Sequence, residues 1–238
     1  VVLLHGWPLS SDSWDDQSYA LANAGYRVIA YDRRGFGRSS QPWNGYDYDR
    51  LTDDLRAVLK HRQVTEGAPI GFSMGGGEVA RYMSRHGGHG VKQAILVASV
   101  VPYMLKTADN PNGVDQAVFD GAAKAIKEDR ARFWPGFFKD FYGVGTLSQP
   151  VSDEVLEWSR DVSMQAGLNA TLGCAKAFSS TDFRPDLASF RVPTLIIHGT
   201  ADSIVPPAMS ERLYAAAPAP KRLLLIEGGS HSNFSGTG

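Results

Sequence analysis

The stretch that decides the fold spans residues 69–82 and reads PIGFSMGGGEVARY. The apolar residues from Ile70 to Phe72 predict the end of a buried strand, and the residues from Gly75 to His86 predict a helix. Between them lies a Gly-x-Ser-x-Gly pattern with Ser73 at its centre. A serine on a sharp turn from strand to helix exposes its hydroxyl above the sheet, so Ser73 is a candidate nucleophile. The alternative is a glycine-rich turn with a structural role only.

The rest of the chain alternates short β-branched runs with helical patterns. The predicted strands are 1–4, 26–31, 70–72, 94–98, 194–198 and 223–226. The predicted helices of this part are 14–24, 51–59, 75–86 and 207–216. This alternation predicts an α/β protein with a mostly parallel central sheet flanked by helices. In such a sheet the carboxyl ends of the strands share one edge, where functional sites form.

Residues 101–191 interrupt the alternation. Helical patterns occupy 114–133, 134–142 and 151–178, and they are rich in phenylalanine and tryptophan. We interpret 101–191 as a helical cap inserted into a core formed by 1–100 and 192–238. Aromatic side chains usually pack in a core, and the alternative is that some of them line a substrate pocket.

A serine hydroxyl needs a base, and His231 is the candidate. It follows the last predicted strand in the sequence Gly-Gly-Ser-His, in a loop at the functional edge of the sheet. Capping, packing or loop-shaping roles are expected for the other five histidines, which are His5, His61, His86, His89 and His198.

The base in turn needs an acid, and Asp202 lies between serine and histidine in chain order, in the loop after the fifth strand. Its carboxylate would orient the histidine and stabilise the imidazolium. A turn aspartate bonded to its own backbone is the structural alternative. Asp32, after the second strand, competes for the acid role, but Arg33 and Arg34 offer it a structural one.

An oxyanion formed on the substrate needs two main-chain N–H donors. The residue after the nucleophile, Met74, provides one, and Trp7 in the loop after the first strand provides the other. Pro8 has no N–H and cannot take part.

Composition excludes several other functions. The chain has 238 residues, a formal net charge of −1 and 21% charged residues, which gives no field for nucleic acid or an acidic membrane. No apolar run is long enough to span a bilayer and no signal peptide is visible, so we expect a cytoplasmic protein with no membrane partner. The single cysteine, Cys174, excludes an internal disulfide. We expect no metal and no cofactor, because the histidines lack ligand spacing and no complete dinucleotide or phosphate-loop motif is present.

The chain resembles the bacterial aryl-esterase, perhydrolase and cofactor-free haloperoxidase group of α/β hydrolases. The stretches that carry the resemblance are 5–8 (HGWP), 32–39 (DRRGFGRS), 71–82 (GFSMGGGEVARY), 176–178 (KAF), 181–183 (TDF) and 193–199 (PTLIIHG). The resemblance covers nearly the whole chain, including the predicted cap.

The resemblance implies an α/β-hydrolase fold, a triad of Ser73, Asp202 and His231, and oxyanion donors on Trp7 and Met74. It further implies a metal-free carboxylic-ester hydrolase for small acyl or aryl esters, with perhydrolase and haloperoxidase side activity. Substrate contacts are expected from Phe72, Ile204 and Val205. A lactonase or γ-lactamase on the same site is an open alternative, and so is a non-catalytic ligand-binding protein on the same scaffold. The sequence also leaves a homo-oligomer open.

The sequence departs from the family pattern in three places. The hairpin that normally precedes the first strand is absent, and only seven residues follow His231. Pro69 stands in a central strand, where it removes a hydrogen-bond donor. These departures predict reduced stability and a less supported His231 loop.

Overall fold

A computed structural model describes residues 1–233 of the chain; residues 234–238, the end of the predicted core range, lie outside the described part. Its centre is a sheet of six strands. They are β1 (Val2–Leu4), β2 (Ile29–Ala30), β3 (Pro69–Phe72), β4 (Ala94–Val97), β5 (Thr194–Gly199) and β6 (Lys221–Ile226). Their order is β2-β1-β3-β4-β5-β6, and every pair of neighbours is parallel. The predicted parallel α/β sheet is therefore confirmed.

Seven helices flank or extend this sheet in the described part of the chain. They are α1 (Asp15–Asn23), α2 (Tyr48–His61), α3 (Met74–Arg85), α4 (Gln116–Tyr142), α5 (Asp153–Gln165), α6 (Leu168–Ser180) and α7 (Ala208–Ala216). Helix α3 packs against α2 and against strands β1, β3 and β4. No helix among residues 1–233 is long and apolar enough to cross a membrane.

The strand order fixes where a site can form. From β1 the chain moves outward to β2, then returns to the other side of β1 for β3 and continues in that direction. The order therefore reverses between β1 and β3, and such a reversal leaves a crevice beyond the carboxyl ends of these two strands. The loop 5–8 and the Ser73 turn both begin there.

Strand β2 is shorter than predicted. The sequence pattern covers 26–31, but only Ile29 and Ala30 pair with a neighbour, namely Val2 and Leu3 of β1. Because β2 lies at the edge of the sheet and β1 has three residues, few ladder positions are available to it.

Pro69 stands in a central strand, as the sequence predicted, and the strand is not interrupted there. It is the first residue of β3, opposite Val2, and the Val2 N–H donates to Ala68 O at 3.0 Å. A proline at the first position of a strand is tolerated, because the ladder continues after it.

The helices between β4 and β5 break at positions other than those predicted. The predicted break between residues 133 and 134 is wrong: α4 is continuous there and has its non-helical backbone at Asp129, whose carboxylate accepts a hydrogen bond from Arg132 N. The predicted helix 151–178 is two helices, because Ala166 is extended and Gly167 N–H donates to Gly35 O. The separation of 101–191 from the core as a cap stays a prediction.

Candidate active site

The turn after β3 presents Ser73 above the sheet. Ser73 has φ +53° and ψ −116°, a strained conformation that non-glycine residues rarely adopt. Its N–H donates to Val97 O at 2.8 Å, and its carbonyl accepts from Val100 N at 3.3 Å. Strand β4 and the loop after it therefore hold the strained turn in place.

The turn also requires the glycine at its far side. A Cβ on Gly75 would lie 2.5 Å from the carbonyl oxygen of Leu4 in β1, closer than side-chain carbons come to other atoms. The absence of a side chain lets α3 start directly against β1, and this close approach brings the loop after β1 next to Ser73.

Ser73, His231 and Asp202 form one chain of hydrogen bonds. The Ser73 Oγ lies 3.0 Å from His231 Nε2, and His231 Nδ1 lies 2.7 Å from Asp202 Oδ2. An ionised carboxylate can only accept, so Nδ1–H must donate to Asp202, which leaves Nε2 to accept from the Ser73 hydroxyl. The structure thus brings together three residues that the sequence predicted as a group.

Hydrogen bonds between two loops hold Asp202 next to His231. The N–H of Ala201 donates to Gly229 O, and the N–H of Thr200 donates to Ile226 O, both at 2.9 Å. These bonds tie the loop after β5, which carries Asp202, to the segment after β6, which carries His231.

The environment keeps Asp202 charged. Burial alone would raise the pKa of its carboxyl group, but the positive charge of His231 and hydrogen bonds from His198 and His231 hold that pKa well below its usual range. The main-chain N–H groups of Ile204 and Val205 donate to its other oxygen at 2.8 and 2.9 Å. Asp202 is therefore suited to orient an imidazole and stabilise its protonated form.

His231 is completely buried. Its ring lies 5.0 Å from the rings of both Phe72 and Phe141, and the following residue, Ser232, donates its N–H to Phe141 O. The expectation of a poorly supported His231 loop is wrong for the described residues, because α4 supplies the packing.

The competing residues have other partners. Burial and the charge of Arg33 lower the pKa of His5 to about 3, and its Nε2 accepts the N–H of Arg33 at 3.0 Å. The Asp32 carboxylate accepts from Ser11 and from the N–H of Arg38. The predicted structural role of Asp32 thus involves Ser11 and Arg38, whereas Arg33 pairs with Glu78 and Arg34 with Asp54.

The loop after β1 lies against the Ser73 turn. A Cβ on Gly6 would come within 2.7 Å of the Phe72 ring and 3.3 Å of Ser73 Cβ. The Trp7 indole donates to Thr171 O at 3.0 Å, which anchors this loop to α6. Met74 begins α3, so its N–H belongs to the first turn, whose donors have no partner within the helix.

A cavity of about 1050 Å³ opens beside Ser73 and His231. Its walls are mainly apolar and come from the loop after β1, the loop after β4, the helices α4 and α6, and the loop after β5. The main residues of these walls are Trp7, Val100, Met104, Phe119, Phe133, Phe137, Leu172, Phe178, Ile204 and Val205. Some of the helical aromatics therefore line a pocket, while Trp134, Phe138 and Phe141 are completely buried in the core.

Two of the three predicted substrate contacts lie on this cavity. Ile204 and Val205 line it, but Phe72 does not. Phe72 points between Trp14, Phe141 and His231, with ring centroids 5.0 to 6.3 Å apart. The prediction that Phe72 contacts substrate is corrected accordingly: its side chain packs behind the base.

Sequence reasoning missed one contact of the acid. His198 Nε2 lies 3.1 Å from Asp202 Oδ2, and both side chains are completely buried. The only signal in the sequence was the four-residue spacing from His198 to Asp202 across the end of β5. Among residues 1–233, no cluster of three or more His, Cys, Asp or Glu side chains is arranged to hold a metal ion.

The family model described as alpha/beta hydrolase fold matches residues 1–236 of the chain. The chain belongs to the α/β-hydrolase family. Among curated relatives of this α/β hydrolase, a putative non-heme chloroperoxidase of Synechocystis is 48% identical, over 98% of this chain and 84% of the relative. A bifunctional esterase/perhydrolase of Acinetobacter calcoaceticus is 40% identical, over 95% and 83%.

Comparison with solved structures supports the same family. A bromoperoxidase from Bacillus anthracis superposes on this α/β hydrolase with a TM-score of 0.94 and is 44% identical, over 97% of this chain and 84% of that one. The family resemblance that the sequence motifs predicted is therefore confirmed, and the hydrolase fold with it.

Proposed function

We propose that this α/β hydrolase is a serine esterase that cleaves small acyl or aryl esters through an acyl-enzyme. The observation that carries the proposal is the unbroken hydrogen-bond chain from Ser73 Oγ through His231 to Asp202. The named activities of its relatives, esterase/perhydrolase and non-heme chloroperoxidase, support the same chemistry.

The proposed cycle has two half-reactions. His231 takes the proton from Ser73 as the serine oxygen attacks the ester carbonyl, and the main-chain N–H groups of Trp7 and Met74 stabilise the oxyanion. The protonated His231 then gives its proton to the leaving alcohol, which leaves the acyl group on Ser73. Water attacks that acyl group in the second half, with His231 again acting as the base.

Hydrogen peroxide in place of water gives perhydrolysis. The acyl group then leaves as a peracid, which oxidises halide in solution without a further protein group. This secondary reaction accounts for relatives that carry haloperoxidase names, and we propose it as a side activity of this chain.

Turnover of p-nitrophenyl acetate by Ser73→Ala tests the proposal. We expect kcat to fall by a factor of roughly 10⁴ or more, because the nucleophile is lost while the fold is kept. Circular dichroism of the variant supplies the control for folding. Turnover near the unmodified rate in a folded Ser73→Ala protein would refute the assignment of Ser73.

The two alternatives give different results in the same assays. A lactonase or γ-lactamase would turn over a lactone or γ-lactam faster than p-nitrophenyl acetate at equal enzyme concentration, and Ser73→Ala would abolish both. A ligand-binding protein would form a serine adduct with a phosphonate but would turn over none of these substrates.

A further inference from the structure

The acid of the proposed triad has a second imidazole beside it. Asp202 Oδ1 accepts the N–H groups of Ile204 and Val205, and Oδ2 accepts from His231 at 2.7 Å. On the other side of Oδ2, at 3.1 Å, lies Nε2 of His198. The triad uses His231 only, so the contact with His198 has no role in the mechanism described above.

The neighbours of His198 determine where its ring proton is. Nε2 faces two acceptors, the Asp202 carboxylate and the Val205 carbonyl at 3.0 Å, and neither has a proton to donate near neutral pH. Nε2 must therefore carry a hydrogen. Nδ1 lies 2.6 Å from Ser210 Oγ, whose hydroxyl can donate. The ring is completely buried, and both of its nitrogens have partners.

We propose that His198 is a positioning residue, whose Nε2–H bridges the Asp202 carboxylate and the Val205 carbonyl and holds the acid in place for His231. This inference rests on the proposed esterase function. The bridge has two effects. It fixes the turn 202–205, three of whose residues line the cavity, and it shares the negative charge of Oδ2 between two imidazoles.

Sharing the charge has a consequence for the base. A carboxylate that also faces the His198 N–H presents a weaker negative potential to His231, so the imidazolium form of His231 is less stabilised than by an unshared carboxylate. The hydrogen bond from His198 is in addition one of the causes, after burial and the His231 charge, that set the pKa of Asp202.

Other charged groups on the surrounding elements have partners or are exposed. On α7, Arg212 bonds to Asn110 and Glu211 is exposed; on β6, Lys221 donates to carbonyls at the end of α7, and Arg222 is exposed. Glu227 after β6 is exposed, and β4 carries no charged residue. On α4 and α6, the charged residues Asp120, Lys127, Asp140 and Lys176 line the cavity and are exposed. Among residues 1–233, the titratable side chains in contact with Asp202 are thus the two histidines.

The first experiment observes the unmodified protein. Histidine labelled with ¹⁵N gives side-chain ¹⁵N–¹H correlation spectra that show which ring nitrogen carries the proton. We expect His198 to show a protonated Nε2 between pH 6 and pH 8. A proton on Nδ1 with a bare Nε2 would overturn the proposal, because Nε2 could then donate to neither oxygen. This experiment does not depend on catalysis.

The second experiment compares the pH profile of kcat/KM for p-nitrophenyl acetate in three variants. His198→Phe keeps the ring shape but removes the donor, His198→Gln keeps a donor, and Ile196→Val is a matched change at a buried residue of the same strand without polar contacts. In His198→Phe, we expect the acidic limb of the kcat/KM profile to move to higher pH by roughly half a pH unit or more. In His198→Gln and Ile196→Val, the acidic limb of the profile should lie at the same pH as in the unmodified enzyme.

The outcomes separate positioning from simple packing. An acidic limb that stays in place in folded His198→Phe, with only stability or kcat reduced, would contradict the proposal while leaving the Ser73 assignment intact. If instead Ser73→Ala stays active, the proposed function fails, whatever the His198 profiles show. Should His198→Phe not fold, the ring-proton measurement decides the question.

Discussion

At the scale of single residues, Asp202 shows how hydrogen bonds and a nearby charge keep a buried carboxyl group ionised. Its carboxylate is taken out of water, which alone would favour the neutral form, yet its neighbours favour the charged form more strongly. A group whose pKa is lower in the folded than in the unfolded state stabilises the fold above its unfolded pKa. That contribution is lost as the pH falls toward its folded pKa.

Asp202→Asn therefore has two expected effects. An amide NH₂ facing His231 Nδ1 favours the wrong tautomer, and we expect kcat to fall by about 10³ to 10⁴. The free energy of unfolding should fall by about 1.5–3 kcal/mol at pH 7. Urea unfolding from pH 7 to pH 3 checks the sign: the difference from the unmodified protein should shrink below about pH 4, near the unfolded pKa of an aspartate. A difference that grows on acidification would contradict a lowered pKa of Asp202.

A buried ion pair connects the loop after β2 to helix α3. Arg33 and Glu78 are nearly inaccessible to solvent, and Arg33 Nη2 donates to His5 O at 2.6 Å, just before Gly6 and Trp7. Burial raises the pKa of Glu78, which the charge of Arg33 opposes. The pair therefore links three elements beneath the candidate oxyanion loop.

Arg33→Met should cost about 3–5 kcal/mol of unfolding free energy at pH 7, because it leaves Glu78 buried and unpaired. The double variant Arg33→Met, Glu78→Leu should recover much of that loss, since no isolated charge remains. Denaturant unfolding of the two single variants and the double variant gives the interaction energy directly. Strictly additive losses would show that the pair is not the source of the effect.

At the scale of elements, the start of α3 depends on close backbone contact with β1. We expect Gly75→Ala to destabilise the protein by about 2 kcal/mol or more and to lower kcat, because its Cβ would displace the Leu4 carbonyl or the Ser73 turn. Thermal unfolding and esterase rates measure both.

Helix α4 offers the matched control. A Cβ on Gly121 would meet no atom within 4 Å, so Gly121→Ala should stabilise the protein by about 0.5–1 kcal/mol through helix propensity alone. Equal effects of the two substitutions would mean that the close approach of Gly75 to β1 is not required.

The element scale also shows what the sequence could and could not predict. Five strands and four helices were predicted nearly as they stand, because short apolar runs and amphipathic spacing directly reflect burial. The break at Ala166 was missed because it depends on contact with a distant segment, through the bond of Gly167 to Gly35. The break at Asp129 was missed because the aromatic pattern placed it between residues 133 and 134. The extent of β2 was overestimated for the same reason: a strand ends where its partner does.

The hydrogen-bonded group of Ser73, His231 and Asp202 could be predicted because a few chemical requirements restrict a candidate triad to residues after particular strands. The position of Phe72 and the contact of His198 with Asp202 could not be predicted, because both depend on side-chain packing in three dimensions. An apolar residue beside the nucleophile can face the cavity or the base, and the sequence pattern is the same in both cases.

At the scale of the whole molecule, the site lies between the sheet and the helices that follow β4. The loops that follow β3, β5 and β6 supply Ser73, Asp202 and His231, and the helices α4 and α6 supply most of the cavity wall. The candidate reactive groups and most of the cavity wall thus come from different parts of the chain. Changes in α6 should alter which ester is accepted without altering the chemistry.

Ala175→Leu tests this division. Ala175 lines the cavity from α6, and a larger side chain there would take space from the substrate. We expect kcat/KM for p-nitrophenyl hexanoate to fall by about tenfold relative to the acetate, since the loss of one methylene contact is worth roughly 1–3 kcal/mol. An unchanged ratio of the two rates would show that the acyl chain binds elsewhere.

The most direct test of the central claim is stoichiometric labelling with a serine-directed organophosphonate, followed by peptide mass spectrometry and by the residual rate on p-nitrophenyl acetate. The account predicts one adduct per chain, located on Ser73, and a rate that falls in proportion to the labelled fraction. Full esterase activity in a sample completely labelled at Ser73, or loss of activity with the adduct on another residue, would contradict it.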